Sequence, residues 1–215
     1  MATLKMGSTT VLTDTTLANA VQDNVTRLGT VTAGNIDAVS DVVKIASGAI
    51  PATSLVDIQG CFTSDYKFYK LFACGFAVDG NGYLEVGFLD STNAHLTSTY
   101  YSKYIQMYGA DWTDLANPET INAYNQHSAQ GFHIVNTWYH HDDAGPILEM
   151  GFYDPNLTTK QHVWWKCTFE QSSYMGLNTG MGMYSATVAK HGLRLVPNTG
   201  TLKAMGHYAL YGYKI

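Results

Sequence analysis

The densest group of metal-binding residue types in the sequence is His140, His141, Asp142 and Asp143. Imidazole and carboxylate groups can together hold a transition-metal ion. Adjacent residues on a hairpin rarely converge on one ion, so the plainer interpretation is a solvated turn. A loop tip of this kind still suits the recognition of a partner. We therefore predict that the protein binds no metal and needs no cofactor.

Two glutamates are the best candidates for acid–base chemistry. Glu85 and Glu149 occupy equivalent places in a repeated segment, Tyr83–Asp90 and Ile147–Asp154, in which Leu, Glu, Gly, Phe and Asp recur in order. Two carboxylates about 5–10 Å apart can hydrolyse a glycosidic bond. Nothing in the sequence brings these two together, and strand alternation would make each of them solvent-facing. Since the GxSxG, HExxH and Walker patterns are also missing, we predict that the chain is not an enzyme.

A glycine-rich segment, Gly180-Met181-Gly182, lies in a charge-free stretch of the sequence. A phosphate-binding loop needs a lysine beside its glycines, and this stretch has none. We therefore interpret the segment as a close-packed loop rather than a nucleotide cradle.

Two pairs of aromatic residues continue the repeat at the same offset. Tyr100-Tyr101 corresponds to Trp164-Trp165, and neighbouring strand residues point to opposite faces of a sheet. One ring of each pair should therefore face the core and the other an outer surface, where it suits sugar stacking or a subunit contact. A second covering layer within the same chain is the alternative. The predicted contact residues are Tyr101 or Trp165, together with Trp138, Tyr139, His140 and His141 of one hairpin.

Eight segments of residues 61–215 have the composition of strands. They are short, rich in aromatic and β-branched residues, and bounded by clusters of Gly, Asn, Asp and Pro. The predicted strands are Tyr66–Cys74, Tyr83–Asp90, Tyr100–Met107, Gly131–Trp138, Ile147–Tyr153, Gln161–Phe169, Gly192–Val196 and Ala204–Tyr213. Since no strong helix pattern separates them, we predict an all-β domain, an antiparallel sandwich of jelly-roll type or a barrel.

The composition changes sharply near residue 60. All 8 Phe, 4 Trp, 15 Tyr, 8 His and 3 Cys lie in residues 61–215. Because aromatic rings supply much of a core, a unit of residues 1–60 would be marginal alone. We predict that residues 1–60 form an arm that becomes ordered against the second domain, another copy of the chain or a larger assembly. A flexible leader is the alternative.

The arm has one predicted helix at about residues 14–28. Its apolar residues fall on a single stripe, but its Thr, Val and Asn content is poor for a helix. The stripe therefore needs a partner surface. The predicted anchor residues are Leu17, Val21, Val25 and Leu28. The rest of the arm is expected to form short extended pieces, Asp41–Ile45 and Ser54–Ile58, separated by a turn-rich SGAIPAT.

Charge and hydropathy exclude several classes of protein. The net charge of −5 from 12 basic and 17 acidic residues argues against non-specific nucleic-acid binding. No apolar run reaches the about 18 residues that cross a bilayer. The first residues lack the apolar core of a signal peptide, so classical secretion is not expected. Three cysteines without a CxxC pattern predict reduced thiols, with one disulfide as the alternative.

Both ends and the middle of the chain resemble virion structural proteins of tailed bacteriophages, especially marine and cyanobacterial ones. The similar segments are the opening Ala2–Leu12, the stretch Asn19–Val31, the entry Phe62–Tyr69, the strand around Leu84, and the closing Gly192–Leu195 and Tyr208–Lys214. The resemblance implies a fibre, decoration or appendage protein on a phage particle, with a β-rich outer domain and a trimeric state.

The residues agree independently with such a role. An arm that cannot fold alone suits docking to a capsid or tail, and a compact β domain suits outward display. The expected partners are other virion proteins and sister subunits, and the expected location is the virion, assembled in the host cytoplasm. A carbohydrate-binding module that contacts host-surface glycans is the alternative.

Overall fold

A computed structural model describes residues 3–6, 9–13, 16–17, 41–78, 82–108, 120–136, 145–171, 174–204 and 206–214. The chain forms two compact units, Met1–Val39 and Ser40–Ile215. Within the described residues all regular structure is β, and no helix there could cross a membrane.

The first unit contains a small antiparallel sheet. Its strands are β1 (Thr3–Met6), β2 (Thr9–Thr13) and β3 (Thr16–Leu17), in the order β1-β2-β3. The predicted helix would include Thr16 and Leu17, which instead pair with β2, so that part of the prediction is wrong. The β-branched threonines favour a strand here. Val21, Val25 and Leu28 lie outside the described residues.

The second unit contains two antiparallel sheets. Its strands are β4 (Val42–Ile50), β5 (Val56–Ile58), β6 (Phe68–Cys74), β7 (Tyr83–Leu89), β8 (Tyr100–Tyr108), β9 (Thr120–Ser128), β10 (Phe132–Asn136), β11 (Ile147–Tyr153), β12 (Gln161–Gln171), β13 (Tyr174–Tyr184), β14 (Gly192–Pro197) and β15 (Gly206–Tyr213). One sheet has the order β10-β7-β14-β5 and the other β4-β15-β6-β11-β12-β13-β8-β9. The predicted all-β, antiparallel, sandwich-like class is confirmed.

The second unit begins before the predicted boundary at residue 61. Strand β4 pairs with β15, and β5 pairs with β14. Ile50 and Ile58 are buried in the common core, and Arg194 holds Asp57 through two hydrogen bonds of 2.7 and 2.8 Å. Residues 41–58, which contain no aromatic residue, therefore bury their apolar side chains against the aromatic-rich part of the same chain.

The core lies between the two sheets and is built largely from aromatic rings. Phe88 of β7 contacts Phe132 of β10, with ring centroids 5.7 Å apart. Phe88 also contacts Phe152 of β11 at 6.0 Å. Phe88 and Phe152 are equivalent residues of the repeat. Their strands, β7 and β11, lie in opposite sheets, so the two copies of the repeat meet across the core.

Candidate functional site

The most distinctive surface is the outer face of the eight-stranded sheet, the side that points away from the core. Pairing brings the outward residues of neighbouring strands side by side, as with Met183 of β13 between Tyr101 of β8 and His162 of β12. Tyr100 is fully buried, whereas Tyr101 is 47% exposed. The prediction that these two rings face opposite sides is confirmed.

This outer face is unusually apolar. Among the described residues, most of the large apolar side chains that are exposed point from this one face: Val42, Phe72, Tyr101, Ile105, Ile147, Tyr153 and Met181. Tyr153 and Met181 are each 65% exposed. Concentrated apolar surface of this kind is typical of a binding site rather than of a merely solvated face.

The outer face also differs in charge from the chain as a whole. The chain has a net charge of −5, yet the outward strand positions of this face carry four lysines against two glutamates. The lysines are Lys44, Lys70, Lys103 and Lys166. One glutamate, Glu149, forms a 2.8 Å salt bridge with Lys70, and the other, Glu170, lies near the end of β12 opposite Met175. The face therefore suits an occupant with negative charge.

An open groove of about 590 Å³ runs across β9, β8, β13 and β12 on this face. The outward side chains that line it are Tyr101, Lys103, Asn125, His127, His162, Met181 and Met183. A second groove of about 450 Å³ shares Lys103, Asn125 and Met181 and extends past Ile105. These volumes lie in the range of small-ligand sites. No carboxylate is among the described side chains that line the two grooves.

The structure separates the two predicted aromatic contact residues. Tyr101 lies in the groove, but Trp165 is fully buried and its indole N–H donates to Asn178 Oδ1 at 3.3 Å. Trp165 therefore cannot make the predicted surface contact. Its neighbour Trp164 takes the outward position, half-buried, with Lys70 Nζ 5.7 Å from its ring. Trp138, Tyr139, His140 and His141 lie outside the described residues.

The structure does not bring the two glutamates together. Glu85 lies in the four-stranded sheet and is 2% exposed, while Glu149 lies on the outer face of the other sheet. Burial raises the pKa of Glu85, and a hydrogen bond from Ser128 opposes that rise. The expectation that Glu85 faces solvent is therefore wrong, and the pair has no glycosidase arrangement.

A buried histidine lies beside Glu85. His133 of β10 pairs with Glu85 of the neighbouring strand β7. Its ring stacks on the rings of Tyr83 and Tyr104, with centroid distances of 3.8 and 5.4 Å. Its Nε2 has no hydrogen-bond partner within the described part of the chain. Burial lowers the pKa of His133 to about 4. The sequence marked it only as one of several scattered histidines.

A buried lysine closes a neighbouring loop. Lys190 is fully buried, and its ammonium donates to the carbonyl oxygens of Leu157 and Thr159. Burial lowers its pKa to about 8. Because its donors are satisfied by backbone of residues 157–159, we interpret Lys190 as a structural clamp on that loop.

In the ranges that the structure describes, no three His, Cys, Asp or Glu side chains are placed to hold a metal. His140–Asp143 falls outside those ranges. Cys61, Cys74 and Cys167 are free thiols, as predicted.

No protein-family model, curated protein or solved structure matches the chain. The side chains of the outer face can make non-covalent contacts with a ligand. Apolar platforms bind flat or apolar surfaces, and the lysine, histidine and asparagine side chains offer hydrogen bonds to hydroxyl or anionic groups. The groove beside Tyr101 combines both properties and is the candidate site.

Proposed function

We propose that the protein is a non-enzymatic accessory structural protein of a tailed-bacteriophage virion. It serves as a capsid decoration, a head fibre or a tail-fibre-type appendage. The N-terminal unit docks to the particle or to sister subunits, the β-sandwich faces outward for host attachment, and three copies associate. The resemblance of the sequence supports this role. The observation that carries it is the division into a small N-terminal unit and a large all-β unit.

Within this proposal the β-sandwich is a jelly roll. Successive strands lie in different sheets at eight connections: β4–β5, β5–β6, β6–β7, β7–β8, β9–β10, β10–β11, β13–β14 and β14–β15. The order β10-β7-β14-β5 places an early strand beside a late one. Crossings and neighbours of this kind are typical of paired Greek keys. The run β11–β12–β13 is then a three-stranded antiparallel meander that widens the larger sheet.

Deletion of residues 1–39 tests the docking role. We expect the truncated protein to keep its β-sheet circular dichroism but to lose binding to particles that lack the native copy. Mass in solution provides the second measurement, with three times the 23.6 kDa chain mass expected for the full chain. Undiminished attachment of a correctly folded truncation would refute the docking role, and a monomeric full chain would refute the trimer.

The groove supports a second candidate, a carbohydrate-binding module that contacts host-surface glycans. Tyr101 presents an exposed ring on a flat sheet surface, where a sugar can stack against it. His127, His162 and Asn125 line the same groove and can exchange hydrogen bonds with hydroxyl groups. An aromatic platform flanked by such polar groups is the specific observation that favours this function.

A glycan array with neutral and acidic glycans tests the second candidate. We expect the wild-type protein to bind a subset of glycans and Tyr101→Ala to lose that binding. Tyr153→Ala is the matched control, since Tyr153 is an exposed tyrosine of the same face outside the groove. A wild-type protein that binds nothing at high concentration would refute this function. Equal losses in both variants would refute the groove as the site.

A further inference from the structure

We propose that the groove beside Tyr101 binds an acidic saccharide, and that Lys103 selects its carboxylate. This inference rests on the carbohydrate-binding function proposed as the second candidate and names the ligand class of that site. Three features of the groove carry it: an apolar platform, a row of neutral hydrogen-bonding groups and one uncompensated cation.

The platform is formed by Tyr101, Met181 and Met183. Tyr101 and Met183 are paired residues on neighbouring strands, and Met181 is the next outward residue of β13. The two grooves together follow β8 from Tyr101 to Ile105, a length of about 14 Å at the rise of an antiparallel strand. An elongated, shallow site of this length suits a short chain of sugar rings rather than one small molecule.

The hydrogen-bonding groups lie along the sides of the platform. His127 and Asn125 are the β9 partners of Tyr101 and Lys103, and His162 of β12 faces Met183 from the opposite side. All three side chains are exposed. A ring stacked on Tyr101 therefore has polar partners on both edges, as the hydroxyl groups of a sugar require.

Lys103 supplies the charge. It lines both grooves, and no salt bridge joins it to a carboxylate of the described residues. The acidic residues at outward strand positions lie apart from it: Glu149 is three strands away and is held by Lys70, and Glu170 is two strands away near the end of β12. An anion in the groove therefore gains a charge-assisted hydrogen bond without displacing an existing partner.

A nucleic acid is a poorer occupant for the same groove. A single strand is bound by a track of several cations that follow the phosphates, whereas Lys103 is the one lysine among the groove-lining residues. The net charge of −5 also opposes a polyanion with one charge per residue. A saccharide with spaced carboxylates fits one cation between neutral polar groups.

Titration of the full chain with matched saccharides tests the proposal. The probes are oligosaccharides of hyaluronan and of unsulfated chondroitin, which carry one carboxylate on every second sugar, the methyl ester of each, and oligothymidylate, measured by calorimetry. We expect each acid to bind about tenfold more tightly than its ester, with the difference shrinking as salt is added. Lys103→Gln should bind acid and ester alike, while Lys166→Gln, an exposed lysine of the same face outside the groove, should behave as wild type.

The outcomes separate the two levels of the proposal. Equal affinity of the wild type for acids and esters would overturn the acidic preference and leave the carbohydrate-binding function standing. A preference that survives Lys103→Gln would overturn the role of Lys103. If the protein binds none of the saccharides in the titration and no glycan on the array, both the acidic preference and the carbohydrate-binding function are overturned. Tighter binding of oligothymidylate would identify a nucleic-acid site and overturn the saccharide.

Discussion

Replacing His133 by Phe should remove a large part of the acid sensitivity of the domain. The pKa of His133 falls from an ordinary 6.5 to about 4 because the ring is buried. Between those pH values the unfolded chain takes up a proton that the native protein does not. Acidification from pH 7 to pH 5 should therefore lower the free energy of unfolding by about 2 kcal/mol through this residue. The loss approaches about 3 kcal/mol below pH 4.

The substitution His133→Phe keeps an aromatic ring between Tyr83 and Tyr104 and removes the titrating nitrogens. It also removes the unpartnered Nε2, an atom whose burial costs about 1–3 kcal/mol, so the variant should be more stable than wild type at pH 7. Glu85, the charged group opposite, acts in the other direction, because a raised pKa favours the native state in acid. The difference between variant and wild type isolates His133.

Urea unfolding at pH 7, 6 and 5 is the assay, with the exposed His162→Gln as the matched control. We expect the wild type and the control to lose stability together and His133→Phe to lose about 2 kcal/mol less. If His133→Phe shows the same decrease between pH 7 and pH 5 as the wild type, the buried ring is not the source of the acid response. The reasoning from burial would then be refuted.

Three further substitutions have directions fixed by the structure, and urea midpoints at pH 7 measure each of them. Glu85→Gln should raise the midpoint, because an amide avoids the cost of a buried carboxylate, and an unchanged or lower midpoint would contradict this. Asp57→Asn should lower stability by about 1–3 kcal/mol, since the two hydrogen bonds to Arg194 lose their charge. Gly180→Ala should cost about 1–3 kcal/mol, because the added Cβ would lie 2.4 Å from Trp165; a neutral effect would show that the ring can shift.

Local periodicity was sufficient to predict strands in which buried and exposed residues alternate. The predicted bounds of β11, Ile147–Tyr153, are those of the structure. The opposite orientations of Tyr100 and Tyr101 also followed from alternation alone. In β11 every second residue, Leu148, Met150 and Phe152, is buried, so the alternation carries information that the packing uses.

Two strands of the larger sheet escaped prediction for different reasons. Strand β9, Thr120–Ser128, is largely polar and lies at the edge of the sheet, so it lacks an apolar face. Strand β13, Tyr174–Tyr184, contains Gly180-Met181-Gly182, a glycine-rich segment that the sequence predicts to be a close-packed loop, and this prediction is wrong. The structure uses those glycines as space for rings: a Cβ at Gly180 would meet Trp165, and one at Gly182 would meet Phe132.

The sequence repeat predicted the alternation of residues but not which outer side is covered. Glu85 and Glu149 have equivalent positions in the repeat, yet a Cβ at Gly87 would lie 2.3 Å from the Gln130 carbonyl oxygen, so backbone covers the outer side of β7. On the outer side of β11, by contrast, Tyr153 is 65% exposed, and the described part of the chain does not cover it. Covering by a distant segment depends on topology, which alternation within one strand cannot reveal.

Further along the repeat, equivalent side chains point to different sides of their sheets. The chain leaves β7 for a strand of the other sheet, β8, whereas β11 and β12 are direct neighbours in one sheet. Tyr100 therefore faces the core while the equivalent Trp164 faces outward. The connection between strands, and not their residues, decided which of Tyr101 and Trp165 could reach a ligand.

Adjacent indoles on opposite sides of one strand give this protein a built-in pair of optical reporters. With Trp112 and Trp138 replaced by Phe, fluorescence would come from Trp164 and Trp165 alone. A soluble quencher should reach the half-buried Trp164 and spare the fully buried Trp165. A neighbouring subunit that covers the outer face would shield Trp164 from the quencher. Denaturation would instead expose both tryptophans to it. Assembly and unfolding could therefore be followed separately in one sample.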